Sequence, residues 1–306
     1  ILTSEKSAYD KLDAELFKGT AEGYTKQEIL DDLQTLSLDD VNTLYNQLIQ
    51  NGKGIVVISA PFDRKPELKN EVFTNIAELP KVKEFTPAKM QEKFKPTLET
   101  KVLTDTDYKN QAEIIQAYKF KINGNLKDTA ALKLLNIIFG GNPSSRLFMD
   151  LRENEKLAYH VKSRYQSIDD TGIITLRIGT TTENKETGEQ SFDNIQKSIN
   201  GFKRHIDKIK NEKVTDEELK NAKLSLKNAI LNDNHNSKDK NVNLMLGINS
   251  PYGALRTNQL FDEIDKVTVD DIYNTANYVF SNKPTYSIVA TENTLKANAD
   301  YLKTLQ

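Results

Sequence analysis

The chain of 306 residues contains no cysteine, which removes disulfides, thiolate metal sites and cysteine nucleophiles together. That absence leaves the compartment open, because cysteine-free proteins occur in oxidising and reducing spaces alike. Histidine is scarce as well: His160, His205 and His235 lie 45 and 30 residues apart, so no two imidazoles stand one helical turn from each other. No apolar run approaches the roughly 18 residues that span a bilayer, so no membrane partner is expected. Neither sign of charge is in excess, with 42 Lys and Arg against 44 Asp and Glu, and no basic stripe is interleaved with aromatics. A nucleic-acid partner is therefore not expected. The start, Ile1-Leu-Thr-Ser4, lacks an initiator Met and a signal-like segment, and the chain reads as a fragment whose N-terminus is missing.

What is present fits a folded globular chain of about two domains: 37% hydrophobic and 28% charged residues. The first 80 or so residues read as helix, helix, strand, helix. Thr25 and Glu28 are set as a capping box before Ile29, Leu30 and Leu33. Ser37, Asp39 and Asp40 place a hydroxyl and two carboxylates at the positive end of a helix over Val41–Gln50. Asn51-Gly52-Lys53-Gly54 breaks that helix, and Ile55–Ile58 is an apolar run of the length of a buried strand. The same order returns near the C-terminus. Residues 28–41 are echoed by 259–272, Asp39 by Asp270, Asn51 by Asn282, and Ile55–Ile58 by Tyr286–Val289, each pair 231 apart with no gap. The chain thus holds the end of one unit and the whole of a second, similar unit, and about 135 residues of the first would lie upstream of Ile1.

Between them, Pro80–Thr100 is rich in Lys, Glu and Pro, and residues 86–100 are taken as the linker. The second unit opens with a strand in which Tyr118, Phe120 and Ile122 alternate with polar residues. Asp128 caps an apolar helix, Ala130–Phe139, which Gly140-Gly141 ends. Ile173–Gly179 is another strand. Phe192, Ile195, Ile199, Phe202, Ile206 and Ile209 then recur at helical spacing on one face, and Thr215 with Glu218 boxes the start of the next helix. Strands interspersed with one-faced helices predict an α+β sandwich.

The most specific stretch is Phe139-Gly-Gly-Asn-Pro-Ser-Ser-Arg-Leu-Phe-Met-Asp-Leu-Arg-Glu-Asn-Glu-Lys-Leu-Ala-Tyr-His-Val161. It resembles the motif of the M16 metallopeptidases (the pitrilysin, insulinase and mitochondrial-processing-peptidase group), in which a Gly-rich turn and Ser-Ser-Arg-Leu lead into a helix ending Leu-Arg. A short loop and Leu-(Ala/Gly)-Tyr follow, and Arg152 and Tyr159 stand seven apart as that family requires. The resemblance covers essentially the whole chain. It implies a LuxS/M16 metallohydrolase-like sandwich, with helices packed on mixed, mostly antiparallel sheets and with one incomplete and one complete unit. Residues 1–85 would be the closing half of a preceding M16-like domain, and 101–306 a complete C-terminal, inactive-type domain. It also implies that Arg152 and Tyr159 bind substrate near the scissile carbonyl, where a preorganised guanidinium or phenol donor stabilises the oxyanion as it develops. Read without the family, Arg152 is a helix-end cation and Tyr159 an ordinary strand aromatic.

The family's zinc motif, His-x-x-Glu-His, needs two His four apart and is absent here, so no metal ligand is assigned and zinc is expected in the missing catalytic half. His160 reads as a packing or surface residue and His205, off the apolar stripe, as solvated. The stretch 232–239 hints at a calcium loop but lacks its Gly and its closing Glu, and is read as a polar loop. Gly140–Ser145 lacks the Lys-Ser/Thr of a phosphate loop. Two functions remain. The first is the zinc-free, substrate-binding part of an M16 zinc endopeptidase that encloses short or unfolded peptides in a chamber with a zinc-bearing half and is inactive alone. The second is a catalytically inert, M16-like structural or peptide-binding subunit. The sequence leaves open a cytoplasmic or periplasmic location.

Overall fold

The computed structural model describes residues 3–51, 54–76, 92–184, 187–233 and 236–306. These fall into two compact units, one made of 1–29, 90–226 and 263–306, the other of 30–89 and 227–262.

The first unit is built on one five-stranded sheet. Its strands are β1 (Lys101–Thr106), β2 (Gln111–Lys121), β3 (His160–Ile168), β4 (Thr171–Thr181) and β5 (Pro284–Ala290), in the order β1-β5-β2-β4-β3. Only β1 and β5 run parallel; the other pairs are antiparallel. The central strands β2 and β4 are buried along nearly their whole length, the pattern of a sheet covered on both faces. Alternation sends Ile115 and Ala117 to one face, against Ala8, Leu12, Leu16 and Phe17 of helix α1 (Ser4–Leu16) and its end. Tyr118 and Phe120 point the other way. There, α5 (Leu126–Asn136), α6 (Asn194–Asn211) and α10 (Val269–Phe280) cover the sheet, with Tyr118 edge-on to Phe280 at 5.0 Å and Phe120 to Tyr278 at 6.0 Å. The β3–β4 hairpin turns at Asp169, whose φ of 49° is a left-handed conformation that Asp tolerates better than most residues.

The second unit contains α3 (Leu38–Asn51), α4 (Glu67–Ile76) and α8 (Ser237–Ile248). Helices α2 (Lys26–Leu33), α7 (Asp216–Asn232) and α9 (Arg256–Lys266) run through the positions where the chain passes from one unit to the other. Short α11 (Glu292–Ala297) and α12 (Ala299–Lys303) close the first unit.

The capping boxes foreseen at Thr25 and Glu28 and at Thr215 and Glu218 form: each Glu side chain accepts from the Thr amide at 2.8 Å, and each Glu amide donates back to the Thr hydroxyl. Three details differ from the sequence reading. Residues 54–61 run without regular structure where Ile55–Ile58 was expected to be a strand; Val56 is 59% exposed, and the Val57 carbonyl accepts from Asn241 of α8 at 3.3 Å. An apolar run becomes a strand only beside another strand with free backbone groups, and among the described residues none pairs with it. Helix α5 is capped three residues earlier than expected, with Asn125 accepting from the Asp128 amide at 2.7 Å and Asp128 returning as an acceptor for the Asn125 side chain. Phe192 precedes α6 instead of joining its stripe. Of the linker residues, 92–100 are irregular, with the amides of Lys93 and Phe94 donating to Asp170 at 2.9 and 2.8 Å, and 86–91 lie outside the described residues.

Candidate functional site

Helix α5 continues through a widened turn over Ile137–Gly141, reverses at Asn142–Ser145, and re-enters helix at Arg146. The turns over Phe148–Asn154 are again wide, the Glu155 amide reaching back five residues to the Asp150 carbonyl at 2.9 Å. Local widening of this kind often accompanies functional positions. Leu147 and Leu151 are fully buried and anchor the segment, and Arg146 forks onto Glu218 at 2.7 and 2.9 Å. Arg152 therefore sits in the last helical turn, where a cation is favoured by the carbonyl ends. The chain turns back at Lys156, with φ 53°, and delivers Tyr159 one residue before β3.

Tyr159 is 45% exposed, and its hydroxyl donates to Gln111 Oε1 at 3.1 Å. Its ring meets His160 edge-on at 4.7 Å. In the sheet, Gly179 of β4 stands directly between Glu113 of β2 and His160 of β3. Because position 179 has no side chain, His160 Nε2 reaches across to donate to Glu113 Oε1 at 3.3 Å; a Cβ there would lie 2.7 Å from the Tyr159 hydroxyl and collide with the His160 ring. Glu113 also takes Arg177 Nε and Nη2, and Arg177 Nη1 reaches Glu5 of α1 at 2.5 Å. Burial, followed by the Glu113 charge, pushes the Tyr159 phenol above its ordinary value, so it stays a protonated donor at neutral pH.

Arg152 has different surroundings. Its guanidinium lies 4.7 Å over the Phe148 ring and 3.7 Å from Glu153, with the side chain 42% exposed. Each of the two residues named from the sequence therefore keeps its own partners, and both side chains are partly exposed. A cavity of about 680 Å³ beside α5, lined by Tyr165, Tyr278, Asp128 and Asp271 among others, includes neither of them.

The sequence reading missed Gln111, Glu113 and Arg177. Two opposite charges inside the apolar runs of β2 and β4 were the available signal, since buried charges are normally paired. His160 belongs to this network and is not a lone surface residue. His205, expected in solvent, is 8% exposed and donates through Nε2 to Asp150 at 2.7 Å. Burial lowers its pKa. His235 lies outside the described residues. Among the described residues no group of three His, Asp or Glu side chains is placed to hold a metal ion. The two His–carboxylate pairs each already include an arginine, Arg177 at Glu113 and Arg204 at Asp150, where a second cation would be repelled.

These features describe a class: an α+β sandwich with a polar, partly open patch at a helix-to-strand junction and no metal site of its own among the described residues. Residues 35–226 match the family model described as the peptidase M16 inactive domain, and the chain belongs to that family. An uncharacterized zinc protease of Rickettsia felis is 32% identical over 169 residues, which is 54% of this chain and 37% of that protein. The beta subunit of the mitochondrial-processing peptidase of Saccharomyces cerevisiae is 30% identical over 165 residues, 54% of this chain and 34% of that subunit. These matches span little more than a third of those relatives. A peptidase M16 inactive domain from Pseudomonas fluorescens superposes with a TM-score of 0.67 at 18% identity, over 93% of this chain and 65% of that one, and shares the fold.

Proposed function

We propose that the chain is the zinc-free, substrate-binding part of an M16 zinc endopeptidase, and that Arg152 and Tyr159 hold the scissile carbonyl of a peptide within a closed chamber completed by a zinc-bearing half. Residues 1–85 would close a preceding domain, 86–100 would link, and 101–306 would form the complete inactive-type domain. The zinc half is either upstream in the same polypeptide or a partner chain, and supplies the metal that activates water; short or unfolded peptides are the substrates. The observation that carries the reading is the donor capacity left at both side chains among the described residues: Arg152 has a 3.7 Å ion pair with Glu153 as its one charge partner, and the Tyr159 hydroxyl has Gln111 as its one hydrogen-bond partner.

The chemistry follows from this chain's own groups. Gln111 Oε1 now accepts the hydrogen bond from the Tyr159 hydroxyl; rotation of its amide would turn the NH₂ toward the phenol oxygen and leave the O–H free to donate to a substrate carbonyl. A raised phenol pKa keeps the proton available. The fixed guanidinium fork adds a second donor where negative charge develops, and such preorganised donors act mainly on the transition state.

In the enzyme assembled with its zinc half, Tyr159→Phe should lower kcat by roughly 10² or more with little change in KM or melting temperature. Arg152→Lys should also be harmful, because one ammonium cannot reproduce the planar fork. Unchanged turnover in both variants would contradict the reading and favour an inert structural or peptide-capturing subunit.

A further inference from the structure

The turn that carries Arg152 is gripped on both sides by one face of α6. Asp150, two residues before Arg152, accepts from Arg204 Nη2 and from His205 Nε2, each at 2.7 Å. Glu155, three residues after it, accepts from the same Arg204 Nη2 at 2.6 Å. Between them Leu151 packs onto Gly201, where a Cβ would stand 2.5 Å from Leu151 Cδ2. Gly201, Arg204 and His205 fall at i, i+3 and i+4, so they share one face of the helix.

Two features go beyond packing. His205 is buried, and with Nε2 donating to a carboxylate, its Nδ1 is an acceptor with no partner among the described residues. An apolar residue would fill that space without leaving a bare acceptor, so the bond to Asp150 is the reason an imidazole there makes sense. The second feature is competition. Glu155 is one helical turn from Arg152 in sequence, within the ordinary reach of an i,i+3 ion pair. Arg204 occupies it, and Asp150 too, so the nearby carboxylates are taken and Arg152 is left with the long contact to Glu153.

We infer that Arg204, supported by His205 and Gly201, is a positioning residue that holds Asp150 and Glu155 away from Arg152 and so keeps the Arg152 guanidinium free for substrate. This rests on the substrate role proposed above for Arg152. Without Arg204, Glu155 is free to capture the guanidinium, and removing Glu155 as well should release it again.

The test uses nitrogen-15 NMR of the arginine side chains in this chain, together with kinetics in the assembled enzyme. In the unmodified protein the Arg204 Nη2 hydrogens, which carry both ion-pair bonds, should exchange more slowly than the guanidinium hydrogens of Arg152; a protected Arg152 signal would overturn the inference without any variant being needed. Arg204→Gln should shift and protect the Arg152 resonance and lower kcat/KM roughly tenfold, and the added Glu155→Gln substitution should restore both. A merely structural loss would not be rescued by a second substitution in the same cluster. An Arg152 resonance unmoved by Arg204→Gln would also overturn the inference. A resonance that moves and is rescued, with turnover unchanged throughout, would uphold the competition and remove the substrate role of Arg152 instead.

Discussion

Residues 37–58 and 268–289 carry one pattern twice, and the structure treats the two copies differently. Both open with the same cap: the Ser37 amide donates to Asp40 at 2.9 Å, and the Thr268 amide to Asp271 at 2.8 Å. Both continue as helices, α3 and α10. There the likeness stops. Ile272, Ala276 and Val279 are fully buried, whereas their counterparts Val41, Tyr45 and Leu48 are 53%, 61% and 60% exposed. Tyr286–Val289 lies within β5 at the heart of a sheet, whereas Ile55–Ile58 pairs with no strand among the described residues. Local chemistry is enough to start a helix, but burial and strand pairing come from neighbours. Helix α10 has them in α5, α6 and β2. A preceding domain, if it supplied the equivalent surfaces to α3, would make the two copies alike.

Core truncation should separate the copies most strongly. Ile272→Ala should cost about 2–4 kcal/mol in chemical denaturation of this chain, since it removes fully buried methyl groups. Val41→Ala should stay within about 0.5 kcal/mol, as exposed substitutions do. Equal losses would break the comparison by placing Val41 in a packed core. The caps share one geometry, but their loss should be read out differently. Thr268→Ala should cost about 1 kcal/mol, and Ser37→Ala should speed amide exchange at the start of α3 without moving the global melting transition.

The smallest effect is in pH. Hydrogen bonds from the Ser37 hydroxyl and amide hold Asp40 below the usual carboxylate range. Burial pushes Asp271 upward, but the bonds from Thr268 and Lys127 outweigh it, and its pKa is also lowered. A carboxylate depressed in the folded state stabilises fully above its unfolded value of about 3.9, and that contribution is lost as pH falls through the lower folded value. Both helix starts should therefore loosen in amide exchange below about pH 4 and not above it. A copy that loosens already at pH 6 would break the equivalence.

Much of this was readable in the sequence because it is local. Thr25 with Glu28 and Thr215 with Glu218 announced helix starts within four residues, and Ile195–Ile209 announced the buried face of α6. The long stretch from Phe139 to Val161 was enough to name the family. What escaped was set by distant partners. His205 looked solvated because Asp150, which makes its burial tolerable, is 55 residues away. Glu113 and Arg177 meet only through the pairing of β2 with β4, 64 residues apart. Asp128, in the first turn of α5, looks like a cap in the sequence, whereas Asn125 takes that place by accepting from the Asp128 amide. Ile55–Ile58 has the composition of a strand but no strand beside it among the described residues.

The most direct measurement is elemental analysis of the purified chain coupled to peptide cleavage, first alone and then with the zinc-bearing half added. A zinc-free half should carry less than stoichiometric zinc, leave unstructured peptides uncut, and support chelator-sensitive cleavage only once that half is present. One tightly held zinc per chain with chelator-sensitive cleavage by the chain alone would contradict that assignment.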